Sequence, residues 1–164
     1  MINKTFPIAE KLLSSGLQLS RSLHLQLQEE MDILKRNQPA ASLDTITRQK
    51  QQLINELDLF AKQLGQVLET EQLPNNRTGI NAYFDKAAKA GLNISEAAEK
   101  WEQITDLAAK SRELNDQNGA SIDLLLRHTR QSLNILKGKP QTPHTYGPDG
   151  STKSDLFSGT LISV

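Results

Sequence analysis

The chain has 164 residues with 19 basic and 19 acidic side chains, so its formal net charge is zero and no overall field draws it to nucleic acid or to an anionic membrane. It has no cysteine, which removes disulfides and thiolate chemistry and fits a reducing cytosol. Apolar residues make up 37% and aromatics only 4%, so a core must be built mainly from leucine, isoleucine and alanine, a composition suited to long packed helices.

The first predicted helix starts near Pro7, where a missing N–H costs nothing in a first turn, and runs to about Asn37, before Pro39. Phe6, Leu13, Leu27 and Leu34 recur at multiples of seven with Ser20 as the polar exception, Leu17 and Met31 fill the next row, and Leu12, Leu19 and Ile33 form a third. So broad a face predicts packing against two other helices. His24 falls in the second row and is expected at the core or its boundary. Glu29 and Glu30 are expected on the solvated face.

Gln38 to Ala41 form the expected connection, with Ser42 as N-cap of the second helix. Leu43, Ile46, Lys50, Leu53, Leu57, Phe60, Leu64 and Val67 then alternate steps of three and four, the 3.5-residue period of left-handed coiled-coil packing. Lys50 is the polar exception. Its ammonium is expected to reach water past an apolar stem, with an acid across the seam as the alternative. The short link makes the first two helices antiparallel neighbours.

A short helix over Ile80–Ala90 is predicted next, burying Ile80, Tyr83, Phe84 and Ala87 and closed by a left-handed Gly91. Asn93 or Ser95 caps the last and longest helix, with Trp101 near its start and placed to pack on Tyr83 and Phe84. From Ile104 to Leu136 a stripe recurs in steps of three and four, including the polar Ser111, Asn118 and Thr129. It keeps its phase across Gly119, which predicts one unbroken helix despite the Asn118-Gly119 turn signal. The glycine is expected to let another backbone approach. The helix is acidic early and basic late, as its dipole favours. The residues 138–164, rich in glycine and proline, read as a flexible tail. The expected organisation is all-α: an elongated antiparallel bundle of three long helices and one short one over 1–137, then the tail over 138–164.

Sites for chemistry are not apparent. The three histidines, His24, His128 and His144, have no partners at metal-ligand spacing. No phosphate loop or nucleophile elbow occurs, and Asn115 to Gly119 lacks the spacing of a calcium loop. No enzyme, cofactor or metal is expected. No apolar run is long enough to span a membrane, and the N-terminus lacks the apolar stretch of a signal peptide. Residue pattern alone reaches a helical bundle with a tail, for which a structural or adaptor coiled coil is one reading.

Three elements together carry a resemblance. They are Trp101-x-x-Ile104-x-x-Leu107 followed by Leu114-Asn115-x-x-Asn118-Gly119-x-x-Ile122; Leu133-x-x-Leu136-x-Gly138; and Thr145-Tyr146-Gly147-x-x-Gly150-x-Thr152 before the apolar end Leu161 to Val164. In this order the chain resembles the FlgN family of flagellar export chaperones. The resemblance implies a cytoplasmic protein of the flagellar type III secretion system. Such a protein binds the C-terminal helical segments of hook-associated proteins, prevents their early assembly and delivers them to the membrane export gate, without cofactor. It makes Trp101, Asn115, Asn118 and Gly119 a structural motif. The expected client surface is the end of the long helix, Ile122, Leu124, Leu125, Leu126, Leu133, Ile135 and Leu136. Three consecutive leucines cannot all face one core, and a homodimer contact is the competing reading of that strip. Tyr146, with Gly147 and Gly150, is the expected export-gate docking element.

Overall fold

The structure, a computed structural model, describes residues 1–36 and 40–136; at 40–42, 131 and 134–136 it describes the backbone alone. Four helices and no strand occur among the described residues: α1 (Ile2–Lys35), α2 (Ala40–Thr70), α3 (Arg77–Lys89) and α4 (Ser95–Leu136). Met1–Asp123 form one compact unit, and Leu124 begins a second. The predicted tail lies outside the described residues.

α1 and α2 pack along most of their lengths. The heptad positions Phe6, Leu13, Leu27 and Leu34 are all buried, as is Ser20, whose hydroxyl bonds the Gly16 carbonyl at 2.8 Å. The α2 row buries Ile46, Phe60, Leu64 and Val67 and half-buries Leu43, Lys50, Leu53 and Leu57. The Phe60 ring lies directly over Gly16, so close that a Cβ built there meets ring carbons at 2.6 Å.

Three predicted boundaries are corrected. α1 starts at Ile2 and contains Pro7. Its first turns bury Ile2, Phe6 and Ala9 on one face, which outweighs the one hydrogen-bond donor that Pro7 removes. α2 starts at Ala40 rather than after Ser42, because two alanines, the strongest helix formers, extend it toward Pro39. α3 starts at Arg77 rather than Ile80. Asn76 caps it by accepting the Gly79 N–H at 2.9 Å, and Gly79 fits because a Cβ there would lie 1.8 Å from the Pro74 carbonyl oxygen.

The predicted face of α3 is the observed one: Ile80, Tyr83, Phe84 and Ala87 are buried, with Tyr83 and Phe84 edge to face at 6.2 Å. Gly91, at φ +82°, ends it. The Gly91 N–H bonds the Ala88 carbonyl and the Leu92 N–H bonds the Ala87 carbonyl, the paired bonds of a Schellman end. A polar cluster ties α3 to both long helices of the hairpin. Tyr83 donates to Thr5 at 3.2 Å, Thr5 donates to Glu71 at 2.8 Å, and Lys86 reaches the other Glu71 oxygen at 2.6 Å.

Burial pushes the Glu71 carboxyl up, but the Lys86 ammonium and the Thr5 hydroxyl outweigh it and leave it below the usual carboxylate range. A depressed native pKa stabilises the fold above the unfolded value near 4.5 and loses that contribution as pH falls through the native one. Unfolding midpoints in urea should therefore fall below pH 4.5. The gap between wild type and Glu71→Gln should narrow in the same acid range. A gap that stays constant down to pH 3 would remove Glu71 as a source of acid sensitivity.

α4 is continuous through Gly119, as its stripe predicts. The Asn93 side chain accepts the Ser95 N–H at 3.1 Å at its start. α4 lies parallel to α1: Lys100 donates to Ser14 at 2.9 Å, Arg21 donates to Gln103 at 2.7 Å, and Ser111 meets His24 Nδ1 at 3.3 Å. The half-buried His24 is thus a boundary residue with a polar partner, as expected. The expectation for Gly119 itself is corrected. A Cβ placed there meets nothing within 4 Å, so among the described residues no backbone approaches it. Gly119→Ala should raise stability by about 0.5–1 kcal/mol by removing glycine from a helix interior, read as a higher thermal midpoint. A lower midpoint would mean that something packs against this position.

Candidate binding surface

The stripe on α4 does not bury itself as apolar residues alone would. Ile104 is buried near its start, but further on the most buried members are the polar Ser111 and Asn118, at 6% and 2% exposure. Leu107, Leu114, Ile122 and Leu125 are only half-buried. The polar members are drawn in by partners on α1. Asn118 Nδ2 donates to the Leu27 carbonyl at 2.9 Å and to Glu30 Oε2 at 2.8 Å. Both neighbours are acceptors, which fixes the orientation of the amide; its Oδ1 is buried and, among the described residues, has no hydrogen-bond partner.

Glu30, expected on the solvated face, is 1% exposed. Lys50 of α2 donates to both its oxygens at 2.8 Å. Of the two readings of Lys50, the acid across the seam is therefore the one observed. Glu30, Lys50 and Asn118 join α1, α2 and α4 at one level. A carboxylate so buried would be unstable alone, and its cation and amide donors together satisfy it.

Beside this triad, residues of α1, α2 and α4 line an apolar cavity of about 450 Å³. Leu23 and Leu27 of α1 form its floor. Lys50, Ile54, Leu57 and Ala61 line it from α2, and Trp101, Ile104, Leu107, Arg112 and Asn115 from α4. Trp101, half-buried against the core, is thus a wall of this groove. The structure divides the motif that sequence singled out: Trp101 and Asn115 line the groove, Asn118 holds the buried carboxylate, and Gly119 is open. Sequence reading missed the groove. Its one signal was the breadth of the α1 face, which serves both α2 and α4.

In the second unit, Leu124, Leu126 and Leu133 are 53%, 49% and 47% exposed. The side chains of Ile135 and Leu136 lie outside the described residues, as do Tyr146, Gly147 and Gly150. Among the described residues, no group of histidine, cysteine or acidic side chains could hold a metal ion, and no helix is long and apolar enough to cross a membrane.

The fold and these surfaces define an all-helical protein whose long helices leave apolar rows open. The chain belongs to the FlgN family: the family model described as FlgN protein matches residues 6–154. It is similar to the flagella synthesis protein FlgN of Salmonella typhimurium, 29% identical over 124 residues, which covers 76% of this chain and 74% of the relative. It is also similar to that of Yersinia enterocolitica, 28% identical over 154 residues, covering 87% and 97%. The Escherichia coli protein of the same name is 26% identical over 125 residues, covering 74% and 88%. No solved structure matches the chain at a comparable level.

Proposed function

We infer that this protein is a cytoplasmic chaperone of flagellar export. It holds the C-terminal helical segments of hook-associated proteins, keeps them from assembling early and delivers them to the export gate of the flagellar type III secretion system. Its role is binding, without catalysis or cofactor. The name shared by its relatives, flagella synthesis protein, supports the flagellar part of this reading.

The observation that carries the client-holding part is the exposed leucines at the end of α4, where Leu126 and Leu133, seven residues apart, share one face and Leu124 lies on the other side. Leu124, Leu126 and Leu133 stand in solvent, and burying one leucine is worth about 1.5–3 kcal/mol. A client helix that later buries its own apolar face in a polymer has the complementary need, which a helix-on-helix contact meets. Ile122 and Leu125 flank the strip, and Ile135 and Leu136 extend it in the sequence. Tyr146, with Gly147 and Gly150, is assigned to the gate rather than the client, as the large ring in a stretch whose sequence is flanked by Pro143 and Pro148.

Leu124→Ser combined with Leu126→Ser should weaken binding of a purified hook-associated C-terminal segment by at least about tenfold, roughly one leucine's burial. Circular dichroism should stay unchanged, because both side chains are exposed. Unchanged affinity would move the client surface elsewhere.

A further inference from the structure

The groove between α2 and α4 has an electrostatic asymmetry that its apolar lining does not require. Trp101, Ile104 and Ala61 lie toward one end, and Lys50, Arg112 and Asn115 toward the other. Among the described residues no acidic side chain lines it. Lys50 is already neutralised by Glu30. Arg112 is different: it is exposed and, among the described residues, has no hydrogen bond or ion pair. Two neighbouring cations of α4 pair within the helix, Lys100 with Glu96 and Lys110 with Asp106. Asp116, one turn beyond Arg112, makes no such pair with it. The neighbouring Asn115 amide is likewise unengaged among the described residues. A cation and an amide donor are thus left open at one end of an apolar trough.

The walls set the size of what would fit. Lys50 to Ala61 on α2 spans about 17 Å, and Trp101 to Asn115 on α4 about 21 Å, at ~1.5 Å per residue. That is the length of a helix of roughly three to four turns. α1 forms the floor between both walls, so the groove has the trough-like form that one more packed helix would need.

We propose that this groove takes an amphipathic helix from another protein, apolar along the side facing Leu57 and Leu107 and carrying a carboxylate where it passes Arg112 and Asn115. This goes beyond the leucine strip at the end of α4 and does not depend on it. A carboxylate is the group that a guanidinium with a neighbouring amide donor recognises best. The triad beneath holds the two walls at a fixed spacing, so the occupant enters a preformed site.

Trp101 is the chain's single tryptophan, which makes its emission a direct reporter of the groove. The test titrates the full chain with a synthetic amphipathic peptide of about fourteen residues, bearing a leucine stripe and one glutamate near one end. A saturable blue shift is expected. Affinity should fall about three- to fivefold when the peptide glutamate becomes glutamine, the scale of one exposed ion pair. Arg112→Glu should weaken binding of the glutamate peptide at least as much and recover it for a lysine peptide. Leu124→Ser with Leu126→Ser should leave the titration unchanged. The proposal is overturned by absence of a saturable shift, by binding indifferent to both charge changes, or by loss of binding in the leucine-strip variant. A concentration-dependent shift without peptide would also overturn it, since a second copy would then be the occupant.

Discussion

Lys50→Met is expected to lower the unfolding free energy by about 3–5 kcal/mol, the cost of leaving a buried carboxylate without its cation. The size follows from the environment of Glu30, which is 1% exposed and receives both its ammonium hydrogen bonds from Lys50. Only the Asn118 amide would remain to it. Against a total stability of roughly 5–15 kcal/mol, such a loss is a large fraction. The double variant Lys50→Met with Glu30→Met should recover most of it, because well-packed apolar residues replace a buried ion pair at little net cost. Urea unfolding at pH 7 measures both. A single variant that loses less than about 1 kcal/mol, as an exposed pair would, would place the pair in water rather than in the core.

The second large effect is at the crossing of α1 and α2. Phe60→Ala should cost about 3–5 kcal/mol, the usual range for emptying a buried phenylalanine site. Gly16→Ala should cost about 1–3 kcal/mol by the opposite route, since its methyl group would push the ring out of place. The double variant should lose less than the sum of the two, because the added methyl then occupies part of the space the ring has left. That non-additivity is the signature of direct contact. Strict additivity in urea midpoints would show that the ring does not rest on Gly16.

These two sites show where sequence reading succeeds and where it stops. The heptads of α1 and α2 were legible because Phe6, Leu13, Leu27 and Leu34 repeat at the period of a helix face, and period alone fixes which face is buried. The buried face of α3 and its glycine end were legible for the same local reason. Glu30 was not, because nothing in its neighbourhood distinguishes it from Glu29. Its burial arises only when Lys50 and Asn118, from two other helices, arrive at its level. Ser111 and Asn118 looked like faults in an apolar stripe and are instead its most buried later members, each bonded to a group on α1. Gly119 illustrates the reverse error. A glycine beside the stripe suggested close approach, but among the described residues nothing lies within 4 Å of a Cβ placed there. The groove was illegible because it is a space between helices, lined from three of them rather than by any one row of residues.

The central claim is that this chain holds a helical segment of a hook-associated protein. Multi-angle light scattering of the full chain mixed with a purified C-terminal segment of such a protein tests it most directly. One peak with the summed mass of one copy of each is the predicted result. Two peaks, each at the mass of its separate component, would contradict it.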